Sequence, residues 1–323
     1  MSVYPIQFYY GVDGNETDIS EKVFSYCFYD KEIYIPANDN YRAYVFGDPL
    51  FKTIKRIRVV FPKKTRIYTK DEDIEIQIPD SIQLNIEKKI KEKFEVDRKE
   101  ERIEEELKKI HQQLVFVDGS LQDEFPEQCM VTQFLKSNSN VLEIGSNVGR
   151  NTVIIGSLLE KSNQLVTLES DPQSVKSLKK NRFINRLHFH IEDSALSYQK
   201  LIQKNWVTIP SEEVLPGYFP VKTITFEELE EKYKMKFNTI VADCEGALYY
   251  ILLSRPSILT NIEMVILEND FAKDEEREFV NQLFRDYGLK KIFSKPLTDQ
   301  PEYIMKKFAP SCIPSFYEVW IRT

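Results

Sequence analysis

Five apolar runs, each too short to be a helix, recur in the later part of the chain, at residues 141–144, 164–168, 187–191, 237–242 and 264–267. The segments between the first three carry apolar residues at helical spacing. Short buried strands that alternate with helices predict an α/β fold with a parallel, doubly wound sheet.

Two later runs, at residues 288–293 and 316–322, predict strands that close this sheet as an antiparallel hairpin. A helix is predicted at residues 124–135, directly before the first strand. Residues 196–220 contain Pro210, Pro216 and Gly217, so we expect an irregular insert that faces a substrate.

Residues 1–80 predict a separate, small, β-rich module. They hold 15 of the 40 aromatic residues, in short runs divided by turn sequences. These aromatic side chains form either a core or platforms for sugars.

Residues 81–114 predict a charged helical linker between this module and an α/β domain at residues 115–323. Within the linker, residues 87–109 contain 18 charged residues, nine of each sign, with apolar residues at helical spacing. Two alternatives stay open: a helix packed on one domain, or a homodimer formed through this helix or the β-rich module.

Composition excludes several classes of protein. The 323 residues are 42% hydrophobic and 29% charged, with a net charge of −7, which disfavours general nucleic-acid binding. Four widely spaced cysteines predict neither a disulfide framework nor a zinc site. The sequence has no secretion signal or apolar run long enough to span a membrane, so we expect a cytoplasmic protein.

A glycine-bearing loop follows the first strand, at residues 145–149, and opens the next helix. A dinucleotide site needs three glycines as G-x-G-x-x-G, whereas this loop has only Gly145 and Gly149. Glu143 lies two residues before the loop, where an anion repels a pyrophosphate but attracts a cationic amino acid. The sequence therefore favours S-adenosylmethionine (AdoMet) over a nicotinamide cofactor.

The next two strands supply polar groups for a nucleoside. Glu169 follows the second strand, 24 residues after Gly145, where a carboxylate accepts hydrogen bonds from ribose hydroxyls. Asp193 follows the third strand and is predicted to accept a hydrogen bond from the adenine amino group. The cofactor-binding candidates are Glu143, Gly145, Ser146, Asn147, Gly149, Glu169, Ser170, Asp193, Ser194 and Asp243.

Four acidic residues end the fourth and fifth strands: Asp243, Glu245, Glu268 and Asp270. They are predicted to act as a general base, as oxygen ligands of a divalent metal, or as acceptors for sugar hydroxyls. Helix capping is the structural alternative. We assign Asp243 and Glu245 as catalytic candidates.

Trp206, Glu268 and Asp270 are predicted to contact the substrate, and Trp206 can stack on a sugar ring or anchor its loop. Asp243, Glu268 and Asp270 are the candidate ligands for Mg²⁺ or Mn²⁺.

Five sequence motifs, in order, resemble those of the FkbM family of AdoMet-dependent O-methyltransferases. They are LEIGSNVGRN, LESDPQSVKSLKKN, EDSALS, VADCEGA and MVILEND. The resemblance covers roughly residues 122–323 and implies the class I methyltransferase fold, which is Rossmann-like with a mostly parallel seven-stranded sheet. It also implies methylation of a hydroxyl on a sugar or glycoconjugate.

Two departures from the family pattern occur around Asp243. Similar proteins carry a Lys and a final Glu where this chain has Val241 and Leu248. A non-catalytic binding or scaffold protein that retains the cofactor fold is therefore the first alternative. A nicotinamide-dependent oxidoreductase is the second. The run FGDP before a basic strand resembles leader modules of glycan-processing proteins in large DNA viruses, which implies a host cytoplasm.

Overall fold

The structure is a computed structural model that describes residues 4, 6–29, 31–47, 50, 53–79, 100–204, 207–298 and 300–322. Two compact units are present, Met1–Glu101 and Arg102–Thr323. Each unit has its own apolar core. The division falls inside the stretch predicted as a linker, of which residues 81–99 lie outside the described residues.

The first unit consists mainly of short antiparallel strands. These are β1 (Gln7–Val12), β2 (Asn15–Asp18), β3 (Phe28–Tyr29), β4 (Glu32–Ile35), β5 (Arg56–Phe61), β6 (Lys64–Tyr68) and β7 (Ile74–Gln77), with helices α1 (Ser20–Tyr26) and α2 (Asp39–Phe46). They form sheets of order β2-β1-β5-β6 and β3-β4-β7. Phe8, Tyr10 and Phe24 are buried between these elements, as expected for aromatic residues that form a core.

The second unit contains the remaining strands. These are β8 (Val141–Ile144), β9 (Leu165–Leu168), β10 (His190–Glu192), β11 (Ala195–Leu196), β12 (Leu201–Lys204), β13 (Val207–Pro210), β14 (Phe219–Val221), β15 (Thr223–Ile224), β16 (Thr239–Ala242), β17 (Met264–Glu268), β18 (Leu289–Lys295) and β19 (Tyr317–Arg322). Seven of them form one sheet, in the order β10-β9-β8-β16-β17-β19-β18.

The neighbours from β10 to β17 pair in parallel, whereas β19 is antiparallel to both β17 and β18. The predicted doubly wound sheet and its closing hairpin are therefore confirmed. Every residue of β8, β9 and β16 is buried, because helices cover both faces of the sheet.

The parallel strands end in register. Ile144 pairs with Leu168 on one side and with Ala242 on the other, while Leu168 pairs with Glu192 and Ala242 with Leu267. The residues that follow these strands therefore lie along one edge of the sheet, where open α/β folds bind their ligands.

Helix α3 (residues 100–113) continues into the second unit, whose other helices are α4 (Phe125–Phe134), α5 (Arg150–Leu158), α6 (Pro172–Ile184), α7 (Phe226–Tyr233), α8 (Ala247–Ser254), α9 (Asp274–Asp286) and α10 (Glu302–Met305). Short 3-10 turns lie at Ser162–Gln164, Pro256–Asn261 and Ile313–Ser315. In the described part of the chain, no helix has the length and apolar character that a membrane span requires.

Helix α3 packs on the second unit. Leu107 is fully buried in the core of that unit, and Ile110 and Leu114 pack against it. A ring nitrogen of His111 lies 2.6 Å from the side-chain oxygen of Gln128 on α4. The last turns of the segment predicted as a linker thus belong to the α/β unit.

The insert is more regular than its proline and glycine content predicts. Strands β12, β13 and β14 form an antiparallel sheet of order β13-β12-β14. The expectation of an irregular insert was wrong: Pro210 is the last residue of β13, an edge strand, where a missing amide is tolerated, and Gly217 lies in the turn between β13 and β14.

Candidate cofactor and catalytic site

The loop after β8 needs glycine at its first position. Gly145 has a φ of 90°, and a Cβ added to it would lie 1.7 Å from the carbonyl oxygen of Asp243. Its amide and that of Ser146 both donate to the carbonyl oxygen of Leu168, at 3.2 and 3.1 Å. Gly145 therefore lets the loops after β8 and β16 approach each other closely.

Gly149 ends the loop and caps helix α5. It has a left-handed φ of 96°, and a Cβ there would lie 2.5 Å from the side chain of Leu178 on α6. Ser146 is buried, and its hydroxyl donates to the carbonyl oxygen of Leu168 at 3.3 Å. These two predicted cofactor-binding residues shape the loop from within.

Glu169 fixes the loop from the neighbouring strand. Its carboxylate accepts hydrogen bonds from the backbone amides of Asn147 and Asp171, both at 2.7 Å. Burial raises the pKa of Glu169, and these backbone hydrogen bonds oppose the rise. Carboxylate oxygens have about four lone-pair sites, so the bonds to the loop leave acceptor capacity toward the cavity.

The site is a cavity of about 330 Å³ at the carboxyl edge of the sheet. Among its lining residues are six of the predicted cofactor-binding residues and both catalytic candidates, with Asp243 belonging to both groups. These are Gly145, Asn147, Glu169, Ser170, Ser194, Asp243 and Glu245. The end of β8, the end of β9 and the end of β16 therefore contribute to one cavity, as their register requires.

Glu143 lies inside the protein and does not line this cavity. It is buried on β8, and its carboxylate accepts a hydrogen bond of 2.6 Å from the hydroxyl of Thr167 on β9. Burial raises the pKa of Glu143 to about 7, and the hydrogen bond from Thr167 opposes the rise. In this position it supports the strand that carries the loop.

Asp193 and Ser194 point in different directions. The carboxylate of Asp193 is paired with Lys222 at 2.9 Å, a hydrogen bond that lowers its pKa, and it does not line the cavity. Ser194 lines the cavity, and its hydroxyl is buried without a hydrogen-bond partner among the described residues. An unpaired buried hydroxyl at a cavity wall suits a polar ligand atom.

The four predicted acids gather around the ends of β16 and β17. Burial and the nearby charge of Asp270 raise the pKa of Asp243. Burial raises the pKa of Asp270 to about 7, although the carboxylate accepts a hydrogen bond of 3.2 Å from the amide of Cys244. Glu245 is exposed and has a left-handed φ of 52°. Glu268 and Asp270 do not line the cavity.

The cluster of acids extends to helix α4. The sequence predicted this helix but did not indicate that its acids join the cluster. Burial, the charge of Asp243 and a hydrogen bond with Glu127 raise the pKa of Glu268. Glu124, on the same helix terminus, pairs with Arg150 at 3.0 Å, and burial raises its pKa to about 7.

The acids do not form a metal site. Across the residues that the structure describes, no three His, Cys, Asp or Glu side chains are grouped so that they can hold a metal ion. The predicted ligand set of Asp243, Glu268 and Asp270 for Mg²⁺ or Mn²⁺ does not fit this geometry. Trp206, the predicted substrate platform, lies outside the described residues.

Several cavity residues carry no sequence signal of their own. Gln203 and Thr208 come from the inserted sheet, and Tyr198 and Tyr250 come from the segments after β11 and within α8. Their place at the cavity depends on how the insert folds back over the sheet. Cavity-facing residues alternate along β12, but a strand of four residues is too short for this alternation to be recognised in the sequence.

No protein-family model and no curated protein sequence matches this chain. Solved structures with a similar arrangement include a ribosomal protein L11 methylase from Lactobacillus delbrueckii subsp. bulgaricus. It has 10% identity and a TM-score of 0.40, over 64% of this chain and 82% of that chain. A putative tRNA (m1A22) methyltransferase from Streptococcus pneumoniae, in complex with S-adenosyl-L-methionine, has 16% identity and a TM-score of 0.37, over 61% and 72%.

An O-methyltransferase from Bacillus cereus, in complex with SAH, has 14% identity and a TM-score of 0.37, over 68% of this chain and 91% of that chain. These similarities concern the fold alone, and they include proteins that act on different substrates. The strand order and the single antiparallel strand β19 together establish that the second unit has the class I methyltransferase fold.

Proposed function

We propose that this chain is an AdoMet-dependent methyltransferase that binds its cofactor in the cavity at the carboxyl edge of the sheet. The observation that carries the proposal is the close approach of the Gly145 backbone to the carbonyl oxygen of Asp243, where both residues line that cavity. This contact brings the loop after β8, which Glu169 holds in place, beside the acidic loop after β16.

The residues present fit AdoMet. Glu169 would accept hydrogen bonds from ribose hydroxyls, and the loop of Gly145 and Asn147 allows close approach of the ligand to the backbone. Ser194 offers a buried hydroxyl that no described residue satisfies. Burial and mutual repulsion oppose ionisation of the acids around Asp243, so a cation bound beside them would favour their charged forms, as the sulfonium and ammonium groups of this cofactor would.

The resemblance to the FkbM family supports a hydroxyl of a sugar or glycoconjugate as the acceptor. The motif that contains Asp243 and Glu245 lies at the cavity in this structure, and its acids can accept hydrogen bonds from sugar hydroxyls. Tyr198 and Tyr250, which also line the cavity, provide ring surfaces for a sugar.

AdoMet supplies an electrophilic methyl group and a good leaving group, so the protein's contribution is to orient the acceptor and to remove its proton. Asp243 is the first candidate for that base, because it lines the cavity and its raised pKa favours proton uptake from an acceptor. Glu245 is the second candidate.

A binding protein that keeps the cofactor fold without catalysis is the second candidate function. The positions where similar proteins carry Lys and Glu hold Val241 and Leu248, which are 3% and 2% exposed and belong to the core. Apolar side chains that pack in the core thus stand where similar proteins carry two charged groups. A nicotinamide oxidoreductase is disfavoured, because Asn147 occupies the position of the second glycine.

Methyl transfer from radiolabelled AdoMet to a panel of mono- and oligosaccharides tests the proposed activity. We expect label on at least one saccharide, together with formation of S-adenosylhomocysteine. If AdoMet binds but no panel member, RNA or protein acceptor receives label, the scaffold function replaces the enzymatic one. Binding of NAD in preference to AdoMet would contradict both.

A further inference from the structure

The inserted sheet of β12, β13 and β14 lies at the edge of the cavity. Its central strand, β12, pairs with both neighbours, with Gln203 opposite Thr208 and Leu201 opposite Pro210. Residues directly opposite each other on antiparallel strands share one face of the sheet. Those four residues all line the cavity. One face of the insert is therefore a wall of the cavity.

This wall contacts the end of the cavity formed by β9. The hydroxyl of Ser170 donates to the side-chain oxygen of Gln203 at 3.0 Å, and Gln203 is 3% exposed. Ser170 directly follows Glu169, the predicted ribose acceptor. The insert thus reaches the nucleoside end of the cavity and contacts it through a buried hydrogen bond.

The segment after β10 contributes a further polar group to the cavity. Ser194 lines the cavity with a buried hydroxyl that lacks a partner among the described residues. Asp193, its neighbour, is instead held by Lys222, which directly follows β14. The backbone amide of Ala195 also donates to the carbonyl oxygen of Lys222, at 2.9 Å. Lys222, at the C-terminal end of the insert, therefore holds Asp193 away from the cavity, whereas Ser194 faces the cavity.

We infer that the inserted sheet completes the nucleoside-binding end of the cavity, with Gln203 as a positioning residue that holds Ser170. In this arrangement Ser194, rather than Asp193, is the polar group that the base meets. The inference rests on the proposed binding of AdoMet. It assigns the insert to cofactor recognition, whereas its place in the sequence predicts contact with the substrate.

The experiment compares two probes, S-adenosylhomocysteine and 5′-methylthioadenosine, which share the nucleoside but differ in the amino-acid part. Their affinities are measured by calorimetry for the wild-type chain, Gln203→Leu, Ser170→Ala and the double variant. Lys204→Ala is the matched control, because Lys204 is on the same strand with an exposed side chain that does not line the cavity.

We expect Gln203→Leu to weaken both probes by the same factor, about 3- to 10-fold, as the loss of one hydrogen bond predicts. The double variant should lose no more than the weaker-binding single variant, because Gln203 acts through Ser170. Lys204→Ala should bind both probes as the wild type does. Ser170→Ala changes no residue of the insert, so it tests the contact even if Gln203→Leu fails to fold.

Two results would overturn the inference while leaving the proposed function intact. One is wild-type affinity for both probes in Gln203→Leu and Ser170→Ala. The other is weaker binding of S-adenosylhomocysteine alone, which would place the insert at the amino-acid end. Failure of the wild-type chain to bind either probe would instead overturn the proposed function.

Discussion

A side chain on Gly145 would collide with the backbone of Asp243, because an added Cβ would lie 1.7 Å from the Asp243 carbonyl oxygen. These residues follow adjacent strands, β8 and β16, whose last residues are paired. A contact below 3 Å between a side chain and a carbonyl group can be relieved only by moving one loop. Substitution of Gly145 by alanine, which adds a single methyl group, therefore tests how close the two loops lie.

Gly145→Ala should weaken AdoMet binding by at least tenfold and reduce the free energy of unfolding by about 1 to 3 kcal/mol, through strain at positive φ and displacement of the Asp243 loop. Gly288→Ala is the control: Gly288 has a similar φ of 81°, but its added Cβ would meet nothing closer than 3.9 Å. Calorimetry and urea denaturation measure the two effects. Equal losses in both variants would show that φ alone, and not the contact, is responsible.

Glu169→Ala should weaken AdoMet binding by about 1 to 3 kcal/mol, because the ribose loses an acceptor and the amides of Asn147 and Asp171 lose theirs. Asp193→Ala should bind AdoMet nearly as the wild type does, since Asp193 is paired with Lys222 outside the cavity. Calorimetric titration compares them. A larger loss in Asp193→Ala than in Glu169→Ala would reverse the assignment of nucleoside contacts.

The pH dependence of stability should carry a contribution from Glu143, whose pKa rises from 4.5 to about 7 on burial. A carboxyl group with a higher pKa in the folded chain contributes stability that is complete below about pH 4.5 and is lost as the pH rises through about 7. Glu143→Gln removes this ionisation while it retains a side-chain oxygen for the hydroxyl of Thr167.

At pH 8 the Gln variant should be more stable than the wild type by about 2 to 4 kcal/mol, and at pH 4.5 the two should differ little. Urea denaturation at several pH values measures this difference. The same fall in stability with pH in both proteins would mean that Glu143 is not the group responsible. Glu124 and Asp270, whose pKa values also rise to about 7, would then be examined by the same substitution.

Asp243→Asn should abolish methyl transfer while AdoMet affinity changes by less than about threefold, because the amide keeps the shape of the carboxylate but takes up no proton. The variant should also be no less stable at neutral pH, since it removes a buried ionisable group from a cluster that includes Asp270. Glu245→Gln, at an exposed position on the same loop, should retain most of the turnover. Full turnover in Asp243→Asn would exclude it as the base.

Leu107→Ala should destabilise the α/β unit by about 2 to 5 kcal/mol, because Leu107 is fully buried in its core. A chain that begins at residue 102 should therefore be more stable than one that begins at residue 115, and both should show one unfolding transition. Lys108→Ala, at the next and exposed position of α3, is the control. Equal stability of the two truncated chains would contradict the inference that α3 is part of the α/β unit.

The sequence was sufficient for the sheet but not for every contact at its edge. Strands β8, β9, β16 and β17 were predictable because parallel strands buried on both faces are continuous apolar runs. The acids that follow these strands could be placed at one edge, because the carboxyl ends of parallel strands lie at the same edge of the sheet. Glu127 could not be included, because its hydrogen bond with Glu268 joins residues far apart in the chain through the packing of α4.

The strands of the insert could not be predicted from the sequence. They have three or four residues, too few for a period of two to be read, and Pro210 and Gly217 favoured a loop. Asp193 was assigned to adenine from its position after β10, whereas the ion pair with Lys222 depends on how the insert ends. Side-chain direction at a strand end is set by such tertiary contacts.

Calorimetric titration of the wild-type chain with S-adenosylhomocysteine, with NAD in a parallel titration, tests whether this cavity binds AdoMet. We expect one binding site per chain for S-adenosylhomocysteine, lost or strongly weakened in Gly145→Ala and unchanged in Gly288→Ala, and no binding of NAD. A folded wild-type chain that binds no S-adenosylhomocysteine, or that binds it equally well in Gly145→Ala, would contradict the assignment of this cavity to AdoMet.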